Sequence, residues 1–242
     1  MKRFFCSMLI LLMLVSGVAL AKKPLALVQS FKTMDKPVNY PNYPSDFEYL
    51  KNWLSEFATF DIITDLDVED GALKNYEAAI LPDNAVMGED EIDAYFDFVD
   101  RGGKLFACFS ASLRKEDGSL TSFQLADLFG VTWERWTNEK DKHKYILFES
   151  HKIFKDLPKD GIDNISSSTQ LVTLNQGEEL ATWTNADKYT PSQADEKNAC
   201  IIENEGCIYV TFPISTPLYL DDPNFGKLFI NIVEYLSPNA MK

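Results

Sequence analysis

Apolar positions along this chain follow two rhythms, short unbroken runs and stripes at helical spacing, and in the first half the two alternate. Residues 25–29, 60–64, 78–81 and 105–109 are short apolar-rich segments and predict strands, the third stopped by Pro82. Residues 30–44, rich in Pro, Asn and Tyr, predict a long loop. Ser45 with Glu48 makes a capping box, and Phe47, Leu50, Trp53, Leu54 and Phe57 follow on one helical stripe. Glu89, Asp90 and Glu91 open the next helix, where the dipole favours negative charge. Ile92, Tyr95, Phe96 and Val99 form its apolar face, and Gly102 and Gly103 end it. Ser122 reads as the cap of a short helix through Phe129, closed by Gly130.

The second half is strand-rich. Residues 145–148, 171–174 and 180–184 read as strands, and 199–203 with 207–212 as a hairpin turning at Asn204, Glu205 and Gly206. A last amphipathic helix, 225–236, turns Leu228, Ile232, Tyr235 and Leu236 inward. A β-α-β-α opening calls for parallel pairing through right-handed crossovers. The expected fold class is therefore α/β: a doubly wound, mostly parallel sheet with helices on both faces and antiparallel strands added in the C-terminal half.

Residues 1–21 stand outside this pattern. Lys2 and Arg3, an apolar run over 4–18 and then Ala19-Leu20-Ala21 follow the order of a secretory signal peptide. The run is short for a membrane span, and Cys6 lies too far upstream of Ala21 to be a lipidated cysteine. The expected organisation is a signal peptide over 1–21 and a single domain over 22–242. The product is an exported protein, periplasmic or extracellular, with no membrane span after leader removal. The net charge is −14, and the leader holds two of the positive charges. Such an acidic surface repels phosphate backbones and anionic lipid, which disfavours nucleic acid as a partner. Outside the leader, Cys108, Cys200 and Cys207 are odd in number, which argues against a disulfide framework. Cys200 and Cys207 flank the hairpin turn out of register, with Cα atoms roughly 10 Å apart along the strands, beyond disulfide reach.

Residue chemistry offers little reactive machinery. His143 sits in a charged turn over 140–144, and His151 precedes the apolar pair Ile153 and Phe154 in a capping position. Neither has metal-ligand spacing, so no metal and no cofactor are expected. Asp65, Asp67, Glu69 and Asp70 lack the spacing of a calcium loop and read as a solvated acidic turn. Trp133 and Trp136 read as packing, with sugar stacking as the sharper alternative. In an open α/β sheet, ligands sit outside the C-terminal ends of the strands. The loops there bring Tyr40, Tyr43, Asp83, Asn84, Ser110, Ser112 and Arg114 together. That set suits a small polar ligand such as a sugar; an unused cleft is the other reading.

Tyr76 to Pro82, the helix over 89–99 and Gly102-Gly103-Lys104-Leu105-Phe106 resemble class I glutamine amidotransferase-like domains. They are most similar to the non-catalytic ones, such as the trimerisation domain of certain β-galactosidases. His151-Lys152-Ile153-Phe154-Lys155-Asp156-Leu157-Pro158 resembles the H-P-I-F-x-x-L-P segment of those domains, with Lys152 replacing the proline. The stretch from Ala199 to Leu236 resembles their last hairpin and helix. The resemblance implies a link to carbohydrate processing and a protein partner or a homo-oligomer. Active amidotransferases carry a cysteine nucleophile on the sharp turn after the strand that follows the glycine pair, and a His and Glu near the C-terminus. Here that turn position falls on Phe109. Cys108 comes one residue early and is expected to point into the sheet. No glycine follows, so a strained turn is not expected, and no histidine follows His151. The expectation is an exported, non-catalytic binding or assembly module. A hydrolase using Ser110 or Cys108 with an unrecognised partner is the alternative.

Overall fold

The computed structural model describes residues 22–36, 39–137, 145–166, 168–184 and 197–242. The leader expected over 1–21 and the turn carrying His143 lie outside the described residues. In chain order the elements open with β1 (Lys23–Gln29), α1 (Phe31–Met34), α2 (Tyr43–Leu54), β2 (Asp61–Thr64), α3 (Asp65–Glu69), β3 (Tyr76–Leu81) and β4 (Val86–Met87). They continue with α4 (Glu89–Asp100), β5 (Lys104–Cys108), β6 (Arg114–Lys115), α5 (Ala126–Phe129), β7 (Val131–Trp136) and β8 (Tyr145–Phe148). They close with β9 (Ile162–Asp163), β10 (Gln170–Leu174), β11 (Glu178–Thr184), β12 (Lys197–Asn204), β13 (Cys207–Val210), α6 (Pro217–Leu220) and α7 (Pro223–Leu236).

Among the described residues, nine strands form one sheet in the order β2-β1-β3-β5-β13-β12-β11-β8-β9. The pairings from β2 to β13 are parallel and those from β13 to β9 antiparallel. The fold is thus mixed α/β, with parallel strands from the first part of the chain joined through β13, which pairs parallel with β5, to an antiparallel half from the second. Side chains alternate across the sheet, so each strand feeds two cores. Leu25 and Leu27 of β1 join α2 and α7 on one face; Ala26 and Val28 join α4 and α5 on the other. Apolar runs such as Ala78–Ala79–Ile80–Leu81 are unbroken because both faces are buried. Among the described residues no helix is long and apolar enough to cross a membrane.

Several helix ends differ from the sequence pattern. The loop expected over 30–44 contains α1, because the Ser30 side chain accepts from the Thr33 N–H and starts a turn. Helix α2 begins at Tyr43, two residues before the expected cap. Pro44 suits a first helical turn, and the Ser45 hydroxyl donates back to the Asn42 carbonyl, so the Ser45–Glu48 box does not form. A capping box forms instead between Thr64 and Asp67 at α3. The acidic turn is therefore a helix rather than a solvated loop, and Asp65 within it is fully buried. Ser122 caps nothing; α5 starts at Ala126 without a side-chain cap. Helix α4 ends as the two glycines indicate: the Gly102 N–H reaches the Val99 carbonyl at 2.8 Å and the Gly103 N–H the Phe98 carbonyl at 2.9 Å. Its buried face is Glu91, Tyr95, Phe98 and Val99, with Ile92 and Phe96 only half-buried. The hairpin of β12 and β13 turns on Glu205 and Gly206, both at positive φ (47° and 88°), as a two-residue loop of this twist requires.

Gly161 precedes β9 at φ +100°, and a Cβ there would stand 2.1 Å from the Ile146 carbonyl oxygen. Gly161→Ala is expected to destabilise the protein by at least about 2 kcal/mol, from positive-φ strain plus the overlap. Chemical denaturation checks this; an unchanged midpoint would contradict the packing of β9 on β8.

Candidate functional site

A cleft of about 360 Å³ opens at the C-terminal ends of the parallel strands. Tyr40 to Tyr43, leading into α2, form one wall together with Asp46 and Phe47. Pro82 and Asp83 after β3, Phe109 and Ser110 after β5, and Pro213, Ser215 and Thr216 after β13 form the floor. Arg114 of β6 lies at one side. Trp136 of β7 and Ser168 close the other. They belong to the β7–β10 arm, a separate antiparallel pair of which the sequence pattern showed the 171–174 strand but not β7.

Of the seven expected site residues, five line this cleft: Tyr40, Tyr43, Asp83, Ser110 and Arg114. The other two do not. Asn84 is buried below the floor, accepting from the Tyr43 hydroxyl at 2.8 Å and donating to the Val28 carbonyl at 3.2 Å. Ser112 is also buried, and its hydroxyl accepts from the Leu125 N–H. Both hold loops in place because their backbone turns leave polar groups that only a side chain can satisfy. Asp46 and Phe109 were missed as lining residues, and Trp136, read as packing with sugar stacking as the alternative, stands at the cleft wall; each reaches the cleft through tertiary placement, which no local spacing announces.

The turn after β5 is strained without a glycine. Phe109 sits at φ +51°, and Asp83 (+58°) and Ser112 (+65°) flank it with the same left-handed backbone. Each such residue costs about 1–3 kcal/mol. Three contacts hold Phe109 in place. Its N–H donates to the Val210 carbonyl at 2.8 Å, its carbonyl accepts from the Tyr209 hydroxyl at 2.7 Å, and the next N–H, of Ser110, donates to Asp83 Oδ1 at 2.9 Å. This corrects the expectation that the turn would be relaxed for want of glycine. The sharp turn is present, with the phenyl ring of Phe109 at its apex.

Cys108 lies on the strand below, 2% exposed, with Sγ 3.4 Å from Ser215 Oγ. Burial pushes its thiol up to about 12, far from the thiolate range a nucleophile needs. The Ser110 hydroxyl accepts from Gln170 Nε2 at 3.2 Å. The nearest acid is Asp83, whose carboxyl burial pushes up to about 7 against the hydrogen bonds from Ser110. Asp46 is raised by burial as well. His151 is elsewhere, capping a 3-10 turn through the Ile153 N–H with Nε2 3.4 Å from Glu203 Oε2. All three described cysteines are buried and unbridged. Ellman's reagent is expected to label none of Cys108, Cys200 and Cys207 in folded protein at pH 8 and all of them in denaturant. Fast native labelling of Cys108 would contradict its place in the core.

The family described as the β-galactosidase trimerisation domain matches residues 30–212, most of the chain. No curated protein matches it. Among solved structures, a β-galactosidase from Rahnella sp. R3 superposes with a TM-score of 0.65 and 15% identity, over 89% of this chain and 31% of that one. An α-L-fucosidase isoenzyme 2 from Paenibacillus thiaminolyticus gives 0.57 and 17%, over 73% of this chain and 27% of that one. A putative ThuA-like protein from Bacteroides uniformis ATCC 8492 gives 0.55 and 14%, over 94% and 98%. The chain thus spans less than a third of the length of the two glycosidases whose fold it shares. On the family match, the chain belongs to the β-galactosidase trimerisation domain family.

Proposed function

We propose that this protein is an assembly module associated with carbohydrate processing, which self-associates and performs no chemistry at the sharp turn after β5. The observation that carries this reading is the family match over residues 30–212. We place the domain among the doubly wound, glutamine amidotransferase-like folds, in a branch without the nucleophile, and we infer export after removal of residues 1–21. Phe109 at the strained turn and the buried Cys108 thiol support the non-catalytic part. Amine-reactive cross-linking of the folded chain tests the assembly part. Covalent dimers and trimers are expected, while purely intramolecular links at high concentration would overturn it.

One observation favours a second reading, a hydrolase centred on Ser110. Asp83 Oδ1 accepts from the Ser110 N–H at 2.9 Å, beside the hydroxyl, and burial pushes its carboxyl up to about 7, the range that suits a general base. Turnover of nitrophenyl esters or glycosides that Ser110→Ala abolishes would establish that reading.

A further inference from the structure

Self-association leaves the lining of the strand-end cleft unexplained. That lining carries two carboxylates, Asp46 and Asp83, and one guanidinium, Arg114. The guanidinium is already engaged: Nε donates to the Tyr40 hydroxyl at 3.1 Å and Nη1 to the Gly118 carbonyl at 2.9 Å. The carboxylates are less so: that of Asp46 has no hydrogen-bond or ion-pair partner among the described residues, and that of Asp83 has only Ser110, whose N–H donates to Oδ1 at 2.9 Å. Both are only partly buried and line the same cleft. In the free cleft water is left to solvate their exposed oxygens, and a ligand hydroxyl can replace that water.

The remaining lining is aromatic. Trp136 is half-buried on the arm, and its ring stands edge-to-face with Trp133 at 5.1 Å. Phe109 is half-buried too, held at the cleft by its left-handed backbone. An anionic ligand would meet two carboxylates and a guanidinium whose donors are largely taken. A cationic ligand would meet Arg114, which offsets one of those carboxylates. A neutral ligand with hydroxyl donors on its rim and an apolar face fits both the acceptors and the rings. The volume of about 360 Å³ is at the small end of ligand sites and limits the occupant to one or two rings.

We propose that this cleft binds a neutral mono- or disaccharide, with Asp46 and Asp83 accepting its hydroxyls and Trp136 and Phe109 lying against its apolar face. This goes beyond assembly, and every residue it invokes belongs to this chain.

Titration calorimetry on the full folded chain tests the proposal. The probes are D-glucose, D-galactose, D-mannose, maltose and lactose, with D-galacturonate and D-galactosamine as charged controls. Saturable binding of a neutral sugar is expected, weaker for both charged controls. Asp46→Asn and Trp136→Ala, neither of which supports the backbone of the turn, are each expected to weaken it about tenfold or more while the far-UV circular dichroism spectrum stays that of the folded protein. Three results would overturn the proposal: no neutral sugar binding up to tens of millimolar, a charged control binding more tightly than every neutral sugar, or neutral-sugar binding indifferent to both substitutions. Cross-linked oligomers scored in parallel keep a failure here distinct from a failure of the assembly reading.

Discussion

Lys32→Met is expected to destabilise the protein by about 3 kcal/mol at pH 8 and by less at pH 5. The Lys32 ammonium lies 2.7 Å from Glu69, 3.2 Å from Glu91 and 3.8 Å from Asp65, and Asp65 and Glu91 have no solvent exposure. Burial alone would lower Lys32, but the hydrogen bond to Glu69 and the charges of Glu91 and Asp65 outweigh it and hold the ammonium above its ordinary value. At Glu91 the balance goes the other way. Burial outweighs the attraction of Lys32, which is shared among three acids, and pushes the carboxyl up to about 8. Removing the cation leaves buried charge without a partner, which costs more than the pair itself contributes. The pH dependence follows from linkage. Between the ordinary value of 4.5 and about 8, the folded protein holds a proton on Glu91 that the unfolded chain has released. Stability therefore falls as pH rises through that window, and the same sign holds for Asp83 between 3.8 and about 7. In the variant Glu91 stays protonated to higher pH, so the loss is smallest where it is neutral. Urea denaturation of both proteins from pH 5 to 8.5 checks this. A loss that grows towards acid pH would contradict it, and Glu91→Gln should flatten the wild-type slope.

Phe229→Ala is expected to cost about 3–5 kcal/mol with no change in cleft geometry. Phe229 is fully buried at the middle of α7, its ring 5.0 Å from Phe106 of β5 and edge-to-face with Trp53 of α2 at 5.7 Å. It therefore joins two helices to the sheet on one face. The cavity left by removing the ring cannot collapse without moving α2 or α7. Thermal melting measures the effect. A loss under about 1 kcal/mol would mean that this face is not the close-packed layer it is taken to be.

Local chemistry made the parallel half legible. The run Ala78–Leu81 reads as a strand buried on both faces, and the glycine pair reads as a helix end; both are local facts. What escaped the sequence is long-range. Glu91 looks like dipole-favouring charge in a first helical turn, yet it is buried because Lys32, 59 residues away, meets it there. The β7 strand alternates irregularly because the β7–β10 register shifts between Leu171 and Val172, so its two tryptophans showed no period. The turn at Phe109 gave no glycine signal because tertiary hydrogen bonds, rather than an absent side chain, hold its backbone. For the site, loops after strand ends were enough to place five residues of seven. Asn84 and Ser112 failed because a polar residue in such a loop serves the backbone as readily as the cleft.

Sedimentation equilibrium over a wide concentration range tests the central claim, that this chain is an assembly module, most directly. The account predicts an oligomer, with the trimer as the mass that fits the family to which the chain belongs. A single-chain mass at every concentration would contradict it.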